Sequence, residues 1–198
     1  MHNFFRIAST ALIVALGTML PTQTKAEVTS WKTVGDWDVD FYSGLPGCLA
    51  STNYEGGTLF MIGFIKRDDK ILLDVTLMDD AWASIENGKE YNVKVFFGDE
   101  TPWTLEMTGR DFNGNPGLTF SFDASTEQSG QFAREFMKET EMKWYYRNTM
   151  LGHYSLRGSR QAFDTAVECQ KSFHEAVSGL SDPFGGSSGN SNTDPFSQ

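Results

Sequence analysis

Three carboxylates recur at alternate positions, Asp36, Asp38 and Asp40. On a strand, alternate residues share one face at about 6–7 Å spacing, so the three could hold a cation or meet a cationic partner. As a Ca²⁺ loop the segment fails. Its sixth residue is Phe41 and its twelfth Gly47, where an EF-hand needs Gly and Glu. Asp111, Asn113 and Asn115 imitate the same loop and fail in the same way, at Pro116 and Phe122. The structural reading of the aspartate stripe is the solvated side of an edge strand, whose charge keeps other chains from pairing with it. That reading ranks first, and the stripe is kept as a candidate contact for a cationic partner.

A second cluster places Asp79 and Asp80 beside Trp82, just ahead of Asn87-Gly88. An aromatic ring rimmed by acids suits a basic group or a sugar ring. The structural alternative is a ring that covers a loop at the margin of the core. Nucleophilic chemistry has less support. From Glu27 onward the only histidines are His153 and His174. His153 and Ser155 would point the same way on a strand, but no acid is spaced to orient either His. HExxH, the P-loop and GxGxxG are absent. No catalytic residue, metal ligand or cofactor is assigned. The 26 acidic residues leave a carboxylate pair open as the machinery of a hydrolase.

These residues belong to a chain of 198, of which 39% are hydrophobic and 16 are Phe, enough for one packed core. Sixteen basic against 26 acidic residues give a net charge of −10, which repels phosphates and argues against nucleic acid as a partner. Residues 1–26 read as a secretory signal peptide. Arg6 marks the n-region, Ala11 to Leu20 the apolar h-region, and Thr24-Lys25-Ala26 the cleavage site. The apolar run is too short to span a bilayer, and no transmembrane segment is expected in the mature chain. Cleavage after Ala26 places the protein in the periplasm or outside the cell. It also removes Arg6 and Lys25, which leaves 14 basic against 26 acidic residues and a net charge of −12. In that oxidising setting the two cysteines, Cys48 and Cys169, are expected to form a disulfide. No CxxC or neighbouring His supports a redox or metal role for them.

Residues 31–122 alternate apolar and polar almost throughout. Trp37, Val39 and Phe41 share one face, as do Tyr91, Val93, Val95 and Phe97, then Trp103, Leu105 and Met107, then Leu118, Phe120 and Phe122. Arg67-Asp68-Asp69 predicts a hairpin between two β runs, and Asn87-Gly88 predicts a type I′ turn. A helix is expected near 127–138, with Phe132, Ala133 and Phe136 inward and its cap at Ser125-Thr126 or Ser129. Two more strands should follow around Met142 to Tyr146 and His153 to Arg157. A final helix capped by Ser159 should carry Ala162, Ala166, Cys169 and Phe173 on its buried face. The fold class is mainly β (α+β), an antiparallel sandwich-like or curled sheet with two short helices in the C-terminal third. A single domain spans 27–177, and the Gly/Ser/Asn-rich segment 178–198, with Asp-Pro-Phe twice, is expected to be disordered.

The ends of this domain carry GDWDV at 35–39 with CLAS at 48–51, and YSLRGS at 154–159 running into Ala162. These segments resemble the GDW strand, the Cys-containing strand and the Ser-Leu-x-Gly strand-to-helix junction of the invasion-associated locus B family of exported α-proteobacterial proteins. The chain departs from that family in lacking its internal cysteine pair and in carrying the late Cys169. The resemblance implies a periplasmic or secreted β-rich domain linked to host or envelope interaction, without known catalysis, and it transfers no site residues. The expected role is non-catalytic binding in the envelope, as an inhibitor or adaptor for a cationic protein. The alternatives are an envelope hydrolase acting through carboxylates, or an accessory subunit of an envelope complex recruited through the Asp-Pro-Phe tail.

Overall fold

The computed structural model describes residues 27–180, with side chains to Phe173. The expected signal peptide and residues 181–198 lie outside it. The strands are β1 (Val28–Val34), β2 (Trp37–Tyr42), β3 (Gly47–Asn53), β4 (Leu59–Arg67) and β5 (Lys70–Met78). Then come β6 (Glu90–Phe97), β7 (Trp103–Phe112), β8 (Asn115–Asp123), helix α1 (Glu127–Lys138), β9 (Glu141–Tyr146), β10 (Thr149–Ser155) and helix α2 (Ser159–Leu180). All strands join one antiparallel sheet in the order β1-β2-β3-β4-β5-β8-β7-β6-β9-β10, open at β1 and β10. Of the two shapes left open by the sequence, the curled sheet is the one observed. Among the described residues, no helix is long and apolar enough to cross a membrane.

The curl is measured by Phe60 on β4 and Trp144 on β9, whose ring centroids lie 6.3 Å apart. Five strand steps separate them in the sheet, about 24 Å if it were flat. The inner face therefore wraps around its own aromatic side chains. Trp37, Phe60, Phe97, Phe132, Phe136 and Trp144 are all fully buried there. Each comes from one of the alternating stripes or from the apolar side of α1. At the mouth of the curl, the rings of Tyr54 and Tyr154 stack at 4.5 Å. Tyr154 Oη donates to Thr58 Oγ1 at 3.0 Å, and Thr58 Oγ1 donates to Asp79 Oδ2 at 2.7 Å. These bonds tie β10 to the β3–β4 and β5–β6 loops without closing the ladder.

The helices fill the remaining inner face. Thr126 caps α1 by accepting from the Ser129 amide, and Trp103 Nε1 on β7 donates to Glu135 of α1 at 2.6 Å. Helix α2 lies over β2, β3 and β4, where the Cys48–Cys169 disulfide joins it to β3 with the Cα atoms 6.0 Å apart. Phe173 stacks on Phe41 at 3.7 Å beside it.

Several local expectations are corrected. Ser159 does not cap α2: its hydroxyl donates to the Phe136 carbonyl of α1, and Gly158 provides the carbonyl that accepts from Ala162. Asn87-Gly88 is not a type I′ hairpin, since only Gly88 has positive φ and β5 pairs with β8 rather than β6. Both central residues take positive φ instead at Asp68-Asp69 and at Asn113-Gly114, the tight turns of the β4–β5 and β7–β8 hairpins.

Candidate functional site: the outer face of the sheet

Strand alternation sends one side chain of each pair into the core and the next to the outer face. The register aligns two outer rows. One runs Asp40, Leu49, Gly63, Asp74 and Ser121 across β2, β3, β4, β5 and β8. The other runs Asp38, Ser51, Met61, Thr76, Thr119, Thr108 and Glu90, from β2 across to β6. The outer face thus joins the sequence-predicted Asp38 and Asp40 to a second polar region centred on β5 and β8. Leu49, Met61 and Ile65 form a small apolar cluster between them.

Asp74 is the unusual member. It is 5% exposed, and its carboxylate accepts from Ser121 Oγ at 2.7 Å, from Thr76 Oγ1 at 3.0 Å and from Thr119 Oγ1 at 3.4 Å. Among the described residues it belongs to no ion pair. Burial pushes its pKa up, against the opposing effect of the three hydroxyls and of Arg67. A charged side chain this buried normally has a partner of opposite charge. Here the partners are neutral hydroxyls at the floor of a groove of about 500 Å³. Glu90, Glu106, Arg67 and Arg110 line that groove, with Leu45, Ile65, Phe112 and Phe120 as its apolar contacts.

Gly63 stands opposite Asp74 in the outer row. A Cβ there would come within 2.2 Å of the Cys48 carbonyl oxygen, so the close approach of β3 and β4 requires glycine. No β4 side chain can therefore stand over Asp74 in its row. The sequence reading missed Asp74. Its available signal was a lone carboxylate inside Ile71-Leu72-Leu73-Asp74-Val75-Thr76-Leu77, a run apolar on both faces.

The six sequence-predicted contacts do not form one site. Asp36 lies in the β1–β2 turn rather than on the strand, while Asp38 and Asp40 face outward on β2. The strand is not an edge: β1 pairs outside it, and the Thr33 hydroxyl donates to Asp38 at 2.8 Å. The pKa of Asp40 is raised first by burial and further by Asp38, against the hydroxyl of Ser30. Asp79, Asp80 and Trp82 lie past the end of β5, with β3 and β4 between them and β2. Asp79 is bound internally to Thr58 and to the Ala81 amide, and Trp82 packs half-buried against the main core, which leaves Asp80 exposed.

His153 Nε2 lies 2.9 Å from Glu141, not on Ser155, whose hydroxyl accepts from the Arg157 amide. Asp111 accepts from the Gly114 amide at 2.6 Å and so shapes the β7–β8 turn. No three His, Cys, Asp or Glu side chains converge among the described residues. Cations gather elsewhere on the outer face. Lys94, Lys143 and Arg147 line a separate hollow of about 390 Å³ with Phe96 and Tyr145, on β6, β9 and the β9–β10 turn. The outer face is therefore polarised, acidic toward β2 and β5 and basic toward β9. Comparison with family models, curated proteins and solved structures finds no match to this chain.

Proposed function

We propose that this is an exported, non-catalytic binding protein of the cell envelope whose outer sheet face receives a cationic protein, as an inhibitor or adaptor would. One observation carries the reading. Asp38, Asp40, Asp74, Glu90 and Glu106 all stand on that face, and none of them is in an ion pair among the described residues. The pairs that do form use other acids, such as Asp69, Asp123 and Glu141. Carboxylates without ion-pair partners make the local potential more negative and speed the approach of a basic partner, an effect that salt weakens.

The test is capture from envelope extract and culture medium with mature protein 27–198, at low and at moderate salt, read by mass spectrometry. A basic protein captured at low salt and lost at moderate salt supports the reading. Absence of specific capture at both contradicts it and turns attention to glycan hydrolysis through carboxylates.

A further inference from the structure

We infer that the groove over Asp74 is a seat for one organic cation, the ammonium or guanidinium at the end of an extended side chain. This rests on the reading of the outer face as a docking surface for a basic protein, and it names the contact at which that protein would be anchored.

The charges within the groove do not balance. Three carboxylates, Asp74, Glu90 and Glu106, share the groove with two guanidiniums, Arg67 and Arg110, so one negative charge is left over. The two arginines stand apart. Arg67 closes β4, and Arg110 pairs with Gly117 toward the β7–β8 turn. Asp74 and Ser121 occupy the row between those ends, with Glu106 on the neighbouring strand. The centre of the groove is thus acidic and its two ends basic, which suits a single cation at the middle and disfavours a second.

The chemistry of the floor agrees. Ser121, Thr76 and Thr119 turn their hydroxyl hydrogens toward Asp74 and one another, which leaves oxygen lone pairs able to accept N–H donors. An ammonium entering the groove would meet the carboxylate and these oxygens together. A guanidinium would meet Asp74 with Glu106 or Glu90. Either cation supplies the direct ion pair that the buried carboxylate does not make among the described residues, with a charge-assisted hydrogen bond. A volume of about 500 Å³ holds a lysine or arginine side chain, and Phe112 and Leu45 offer apolar contact for its methylenes.

The experiment follows ¹H–¹⁵N spectra of the disulfide-bonded protein during titration with three probes, the N-acetyl methylamides of lysine, arginine and norleucine. Saturable shifts at the amides of Gly63, Asp74, Thr76, Thr119 and Ser121 are expected with lysine or arginine and not with norleucine. Which of the two cations binds more tightly distinguishes ammonium from guanidinium. Asp74→Asn should weaken binding about tenfold or more. Glu106→Gln, at an exposed position that folding does not depend on, should weaken it by a smaller factor and keeps the test valid if the first variant fails to fold. Equal shifts with norleucine, or none at these amides, would overturn the inference. If a basic protein is captured equally by wild type and by Asp74→Asn, the seat is refuted while the docking face stands. If the cationic probes bind the groove but no protein is captured, the seat stands and the protein partner does not.

Discussion

Gly63 and Asp74 face each other across the β4–β5 ladder, and Asp74 places a buried carboxylate at the floor of an open groove. The glycine is fixed by the β3 backbone, which passes too close to admit a Cβ. Gly63→Ala should therefore cost about 1–3 kcal/mol or more, as overpacking against a rigid neighbour does. Gly47, equally close to the Phe64 carbonyl, should behave alike. Urea midpoints followed by tryptophan fluorescence measure both. Unchanged midpoints would mean that the strands can separate at no cost.

Asp74 makes a prediction about pH. Its folded pKa is raised above the ordinary 3.8 by burial, so the native state binds the proton more tightly than the unfolded chain does. Stability contributed through this group therefore rises as pH falls through the folded pKa and levels off below 3.8. Asp123 and Glu141 act in the opposite sense, because hydrogen bonds lower their pKa values and their stabilisation is lost as pH falls through the folded values. Asp74→Asn should remove the first contribution and leave the second. The stability difference between Asp74→Asn and wild type should favour the variant more at neutral pH than at acid pH, shifting toward wild type on acidification. Parallel stability curves for the two proteins would contradict this.

The chain of hydroxyls from Tyr154 through Thr58 to Asp79 holds the mouth of the curled sheet. Tyr154→Phe should cost about 1–2 kcal/mol, and Asp79→Ala about 1–3, because each removes one of the two hydrogen bonds of the buried Thr58 hydroxyl. The double variant should depart from the sum, since only there does the Thr58 hydroxyl lose both partners. Strict additivity in a denaturation cycle would mean that the two bonds are independent.

Reduction of Cys48–Cys169, or replacement of both residues by Ala, should cost about 2–5 kcal/mol. The bridge closes a long loop and fixes α2 on β3, so the unfolded chain gains freedom when it is cut. A denaturation midpoint insensitive to reductant would contradict this.

The inner half of the molecule was legible in the sequence. Trp37, Val39, Val93, Val95 and Leu105 announce their burial by alternation, and the buried Ala162, Ala166 and Cys169 by helical spacing. The outer half was not. Its groove depends on β5 pairing with β8 rather than with β6, a non-sequential neighbour that no local pattern encodes. Asp74 acquires Ser121 and Thr119 only through that pairing. The same pairing explains why Asn87-Gly88 looked like a hairpin and is a loop turn. Ser159 misled for another reason: its hydroxyl found a carbonyl of α1 before it could find its own helix. The aspartates of β2 were read on the correct face but in the wrong place, because β1 lies outside them.

The central claim is that the placement of carboxylates on the outer face, beyond total acidity, draws the partner. The direct measurement compares capture by two variants of equal net charge. One neutralises Asp38, Asp40, Glu90 and Glu106 on the outer face. The other neutralises Glu55, Asp99, Asp164 and Glu168, which are exposed and equally without ion pairs among the described residues. The first variant should lose the basic protein held by wild type at low salt, and the second should retain it. Equal capture by both variants, or equal loss from both, would contradict it.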